Sequence, residues 1–241
     1  MIDSAIILAA GLGTRMKEFT KEIPKSLIKV NGKPMIDYAI DILECLKIKN
    51  IYINIHFKPE IITQHLKLKH NTNIIISDET SKLLDTGGGI KKILFDHNIQ
   101  KALVLNSDVI WDNSYVSVLR KMIKSFKPNS EALLGLVSTK LHRGYIGEGD
   151  FVFHDTNQIS RFSPGDKAPY NYVGSQIITK DAFKDQKSEV FSINEVWDNL
   201  IIQKKLEGFK FDTNVLHVGT KEALLAVSYT HLRAHETNGY R

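Results

Sequence analysis

The sequence predicts an α/β fold built on a mostly parallel mixed sheet flanked by helices. Short apolar, β-branched runs alternate with segments of helical period from residue 5 to residue 137, and such alternation implies right-handed crossovers between parallel strands. Several runs end in glycine or in a polar turn, where such sheets place their ligands. The 241 residues, 42% apolar and 24% charged, suffice for one large domain of two lobes with a sizeable core.

Taken in order, Ala5–Ala10 reads as a buried first strand running into a glycine loop. Pro34–Leu46 carries apolar residues three and four apart behind an initial proline and predicts a helix. Ile51–Phe57 alternates and predicts a strand, Pro59–Leu68 a helix and Asn73–Ile76 a short strand. Gly89–Leu94 is expected to open a helix after three glycines, and Ala102–Leu105 to be a buried strand ending at Asn106-Ser107-Asp108. Ser114–Phe126 is amphipathic, and Ala132–Val137 is again strand-like. Beyond Leu141 glycines punctuate Phe151–Phe153, Gln158–Phe162 and Tyr172–Ile178, which predicts a meander laid over the open edge of the first half, on the side of a second substrate. Ile193–Gly208 is expected to be a helix and Phe211–Val218 a returning strand, with another helix beginning near Thr220.

Composition excludes several classes. The net charge of +5 comes from scattered Lys and Arg with no run of five, so no nucleic-acid groove is indicated. One cysteine, Cys45, rules out a disulfide framework or a cysteine zinc site within the chain and is expected to be a small buried residue on its helix. No apolar run reaches the ~18 residues of a membrane span, and no signal peptide is read, so no membrane partner and a cytoplasmic location are expected. Residues 228–241 are polar and aperiodic. Their string Ser-Tyr-Thr-His-Leu-Arg-Ala-His-Glu-Thr resembles translated adapter read-through, so His231 and His235 are not read as a metal pair, and the folded domain is expected to span 1–227.

The chemistry concentrates in Ala10-Gly11-Leu12-Gly13-Thr14-Arg15-Met16, followed nine residues after the arginine by Pro24-Lys25. Backbone N–H groups of a glycine loop after a strand crowd around a phosphate chain, and Arg15 and Lys25 add positive charge there. The dinucleotide fingerprint is excluded because Met16 stands at its third glycine, and a Walker loop because Gly-Lys-Ser/Thr is absent. The loop and the proline–lysine pair together resemble the sugar-phosphate nucleotidyltransferases. So do Leu84-Asp-Thr-Gly-Gly-Gly-Ile90, Asn106-Ser107-Asp108, Gly149-Asp-Phe151, Tyr172-Val-Gly174 and Val218-Gly-Thr220. Within that family the triple glycine and the short chain look nearest to the N-acetylmuramate 1-phosphate uridylyltransferase branch, with mannose-1-phosphate guanylyltransferases as neighbours.

The resemblance implies a Rossmann-like nucleotide-diphospho-sugar transferase fold, with a nucleoside triphosphate and a sugar 1-phosphate as partners and Mg²⁺ as cofactor. It implies that Ala10, Gly11, Gly13 and Thr14 hold the triphosphate, that Arg15 neutralises departing pyrophosphate, and that Lys25 contacts the α-phosphate and the sugar phosphate. Thr86, Gly87 and Gly88 would read base and ribose, Asp108 would hold the metal, and Asp150, Asn171 and Gly174 would face the sugar. The segment 161–170 would cover it. At the family's second metal position, normally an aspartate, stands His217, and imidazole is a poor partner for a hard cation. Three outcomes stay open: metal held by Asp108 with phosphates and water, His217 contacting phosphate, or lost activity. The alternative functions are guanylyl transfer to mannose 1-phosphate, cytidylyl transfer to an alcohol phosphate, and a non-catalytic nucleotide sensor. The assembly is expected to be a monomer or homodimer.

Overall fold

The structure, a computed structural model, describes residues 2–16, 18–67, 73–144, 147–154, 157–163, 165 and 169–225. The first half follows the alternating pattern. It runs β1 (Ser4–Leu8), α1 (Met35–Cys45), β2 (Asn50–Ile55), α2 (Pro59–Lys67), β3 (Asn73–Asp78), α3 (Asp85–Asp96), β4 (Lys101–Asn106), α4 (Tyr115–Ser125) and β5 (Ala132–Ser138). Then come β6 (Phe151–Phe153), β7 (Ile159–Arg161), β8 (Tyr170–Thr179), α5 (Ile193–Ile202) and β9 (Leu206–Phe211). These nine strands form one sheet in the path β7-β6-β8-β4-β1-β2-β3, with β5 pairing β8 and β9. Strand β1 runs parallel to both β2 and β4, and β2 parallel to β3, so their carboxyl ends open on one edge.

Alternation sorts each strand between two cores. Ala5 and Ile7 of β1 join the inward stripes of α1, α2 and α4, while Ile6 joins α3 and α5 on the opposite face. That burial of both sheet faces makes the strands near-continuous apolar runs, which is why the sequence shows them.

Three expectations are corrected. The long strand Tyr170–Thr179 is no cover over the sheet: it lies within it, antiparallel to β4 on one side and β5 on the other, with a bulge between Tyr172 and Gln176. An apolar strand pattern reports burial, not the strand's place in the sheet. The helix expected over Ile193–Gly208 stops at Ile202. Lys204 takes φ +57°, and the chain turns back as β9, parallel to β5, so the strand expected over Phe211–Val218 breaks into β9 and the short Val215–Leu216. Cys45 is exposed, because the inward stripe of α1 passes through Ile36, Ala39, Ile40 and Leu43 and leaves position 45 outside it. The final helical turn covers 221–225, and the segment 228–241 with His231 and His235 lies outside the described residues, as do 164 and 166–168 of the expected cover.

Candidate active site

The loops after β1 and β4 meet at one edge of the sheet because the two strands pair in register, Leu8 beside Asn106. The chain leaves β1 through Ala9 and Ala10 and reaches Gly13 at φ +64°, a conformation open to glycine at no steric cost. A Cβ there would stand 2.8 Å from Thr20 Cγ2 and 2.9 Å from Lys25 Cβ, so the loop packs directly on the Lys25 stem. Thr14–Met16 then closes a 3₁₀ turn, in which Met16 points into the core while Thr14 and Arg15 stay exposed. Pro24 starts a second 3₁₀ turn that presents Lys25.

From the other side comes Asp108. Lys25 Nζ donates to Asp108 Oδ2 at 2.5 Å, with both side chains little exposed, at 12% and 17%. His217 Nε2 lies 3.2 Å from the same oxygen. Backbone contacts bring the imidazole there: Val109 bridges His217 in antiparallel fashion, and the Val218 N–H donates to the Asp108 carbonyl at 2.8 Å. Behind it the His142 ring stacks on His217, with centroids 5.9 Å apart. Burial works to push the Asp108 carboxyl up, but the Lys25 ammonium and next the His217 ring hold it well below the usual carboxylate range. Asp108 Oδ1 is buried with no hydrogen-bond partner.

A cleft of about 600 Å³ opens between these groups. Ala10, Gly11, Gly13, Thr14, Arg15, Lys25, Thr86, Asp108 and His217 all line it. Residues separated by some two hundred positions thus meet in a single pocket, lined by the cations Arg15 and Lys25 and by the Asp108 carboxylate that pairs with Lys25. Such an arrangement can bind an oligophosphate along the cation side and anchor a divalent metal on the anion side.

Other expected residues lie elsewhere. Gly87 and Gly88 are buried inside α3, and both N–H groups donate to the Phe191 carbonyl, at 3.0 and 3.2 Å. A Cβ on Gly87 would come within 2.4 Å of the Phe191 ring, and one on Gly88 within 2.3 Å of the Glu189 carbonyl. These glycines admit the segment 189–193 against the helix, and α3 begins at Asp85, before them instead of after them. Thr86 does reach the cleft, though its hydroxyl accepts the Ile193 N–H at 3.0 Å.

On the second-substrate side, Asp150 Oδ2 accepts the Tyr172 N–H at 2.8 Å, which ties the segment before β6 to β8. Asn171 is 1% exposed. Gly174 sits at φ +79° in the β8 bulge, where a Cβ would press on Asn106 and Val109 at 3.0 Å. None of the three lines the cleft beside Asp108.

The sequence reading missed Asn54 and Glu79, which line the cleft from the ends of β2 and β3. Each is a single polar residue at a strand end. The available signal was the polar break after two runs of isoleucine, a pattern that turns share.

With the geometry in view, the comparisons with known proteins agree in direction. The family model for nucleotidyl transferase matches residues 4–233. The chain is 32% identical over 228 residues to the N-acetylmuramate alpha-1-phosphate uridylyltransferase of Caulobacter vibrioides, covering 92% of this chain and 94% of that protein. It is 29% identical over 225 residues to the D-glycero-alpha-D-manno-heptose 1-phosphate guanylyltransferase of Campylobacter jejuni, covering 90% and 95%. In fold it is similar to HddC from Yersinia pseudotuberculosis complexed with GMP-PN, with a TM-score of 0.75 at 22% identity over 95% of this chain and 100% of that one.

Proposed function

Because the chain belongs to the nucleotidyl transferase family, we propose that it is a sugar-1-phosphate nucleotidyltransferase that moves a uridylyl group from UTP to N-acetylmuramate 1-phosphate and releases pyrophosphate. The observation that carries the reading is the meeting of Arg15, Lys25 and Asp108 in one cleft at the carboxyl edge of the sheet. The uridylyl and muramate assignments rest on the Caulobacter relative, which this chain matches nearly end to end.

In this reading the glycine loop and Thr14 bind the triphosphate through backbone and hydroxyl donors. A phosphate oxygen of the sugar phosphate attacks the α-phosphorus in line, the bond from the α-phosphorus to the bridging oxygen breaks, and that oxygen leaves with pyrophosphate. Arg15 neutralises the leaving charge, and Lys25 orients the α-phosphate and the incoming phosphate.

The donor set fits a divalent cation. Asp108 is held ionised, and its Oδ1 is buried and unpartnered. Among the described residues no group of three or more His, Cys, Asp or Glu side chains forms a metal site, so Asp108 would share Mg²⁺ with phosphate oxygens and water, a usual shell for that ion. When bound, Mg²⁺ supplies charge neutralisation across the phosphates. His217 serves better as a second partner of the Asp108 carboxylate than as an Mg²⁺ ligand, given its nitrogen donor.

We read the enzyme as cytoplasmic, acting in cell-wall recycling on small-molecule substrates. No described helix is long and apolar enough to cross a membrane.

The test is a pyrophosphate-release assay with Mg²⁺. UTP, GTP, CTP and dTTP are crossed with N-acetylmuramate, mannose and heptose 1-phosphates. Turnover highest with UTP and N-acetylmuramate 1-phosphate is expected. A GTP preference moves the protein to the guanylyl branch that the Campylobacter relative represents. Nucleotide binding without pyrophosphate from any pair overturns the enzymatic reading.

A further inference from the structure

We infer that Asn54 and Glu79 form a buried hydrogen-bond relay that holds the phosphate loop at a fixed distance from the start of α3, and that nucleotide affinity depends on this relay. The parallel register of β1, β2 and β3 places Leu8 beside Asn54 and Asn54 beside Ser77, two positions before Glu79. Asn54 Oδ1 accepts the Ala9 N–H at 2.8 Å, just ahead of Ala10 and Gly11. Asn54 Nδ2 donates to Glu79 Oε1 at 2.8 Å, and Glu79 Oε2 accepts the Leu84 N–H at 3.1 Å, one residue before α3. Two side chains thus join the backbone of the phosphate loop to the backbone beside Thr86, across the floor of the cleft they both line.

The relay is sealed. Asn54 is 3% and Glu79 1% exposed, so an unpaired donor or acceptor in it gains little from water. Glu79 is anchored at its own backbone as well. Its N–H donates to the Ile55 carbonyl at 2.8 Å, and His56 Nδ1 lies 2.7 Å from its carbonyl oxygen. Gly89 completes the packing: a Cβ there would fall 2.7 Å from Glu79 Oε1 and 2.8 Å from Asn54 Nδ2. The third glycine of the triplet therefore gives α3 room for the relay.

The direction of the donors makes the inference testable. Both ends of the chain are fixed N–H groups, so the two side chains must present acceptors outward and one donor between them. Asn54 with Glu79 satisfies this. Glu79→Gln adds a second amide and forces one donor-to-donor contact, however the amides turn. Asn54→Asp sets two carboxylates against each other. The double variant N54D/E79Q reverses the central bond and restores all three. A role that required only charge or volume at either position would not predict this rescue.

The inference rests on the nucleotidyl-transfer reading only for its ligand. UTP affinity is measured by calorimetry, GTP serving if the parent prefers it, together with amide hydrogen exchange at Ala9 and Leu84 in the free protein. Each single variant is expected to weaken nucleotide binding about tenfold or more and to speed exchange at both amides, and the double variant to return affinity to within about threefold of the parent. Singles that bind and exchange like the parent overturn the inference, as does a double variant no better than the singles. Should the singles fail to fold, a double variant that folds and binds supports it, and one that does not overturns it. If the parent binds none of the four triphosphates, the proposed function falls, and the exchange pattern alone then decides for or against the relay.

Discussion

In the first loops Thr14, Arg15 and Lys25 line the cleft, whereas Asp150, Arg161 and Asn171 of the later insertion do not. Arg15 and Lys25 line an open pocket, and Lys25 faces a carboxylate from a strand end. Asp150 instead caps the Tyr172 N–H, Asn171 is buried, and Arg161 of β7 binds Asp198 at 2.7 Å and Asn194 at 2.9 Å on α5. Both regions carry glycine and acidic motifs. The difference lies in direction: the parallel strands β1 and β4 end together at the ligand edge, while β8, antiparallel to β4, reaches that edge with its early residues and runs on into the sheet.

That contrast breaks most sharply at Asp108. Asp108→Asn is expected to lower turnover by ~100-fold or more and to lower the melting temperature as well, because Lys25 and His217 lose the charge that pairs them in a little-exposed site. Turnover within tenfold of the parent would place Asp108 with the framework residues instead.

Next in size is Gly88→Ala. In an ordinary helix the change is mildly stabilising, yet here the new methyl meets the Glu189 carbonyl, and a loss of about 1–3 kcal/mol is expected in denaturant unfolding. A variant as stable as the parent but weak for nucleotide would return Gly88 to the ligand side.

The seam between the regions can be probed by pH. Burial first, and then the His217 charge, pushes the His142 ring down to about 4. A histidine whose native value lies below its unfolded one binds its proton more weakly when folded. Its stability contribution is therefore complete above the unfolded value near 6.5 and declines as pH falls from there towards 4. Unfolding free energies measured across that window should show His142→Leu losing less stability than the parent, by on the order of 2 kcal/mol. Parallel curves would mean that the ring takes up its proton in the native state without penalty.

The smallest effect is expected from Asp150→Asn. The amide oxygen still accepts the Tyr172 N–H, so stability should change by less than about 1 kcal/mol and KM for the sugar 1-phosphate by less than about twofold. A large rise in that KM alone would move Asp150 from framework to site.

Much of the first half was legible because β1 and β4 are buried on both faces, so their ends stand out where apolar runs stop at Gly11 and Asn106. Those breaks drew attention to Arg15 and Asp108, while Lys25 stood out through its Pro24-Lys25 pair and the roles of all three came from the family resemblance. Glycines were legible as special positions but not for their reason: Gly13 serves the loop, while Gly87 and Gly88 serve a segment a hundred residues away. The relay of Asn54 and Glu79 was illegible, since only sheet order and register bring the two residues together. The end of α5 was missed for a related reason. Leu206, included in the expected helix, belongs instead to β9, which pairing with β5 settles.

The backbone link between Val109 and His217 has a consequence for how the protein becomes competent during synthesis. A nascent polypeptide that has cleared the ribosome only as far as α5 already owns both cations and the carboxylate. It still lacks the wall of residues 215–219, and with it one of the two groups that grip Asp108. Translation thus keeps the pocket unfinished until almost the whole described chain has emerged, and a truncated product would inherit the motifs of the first half without a closed pocket.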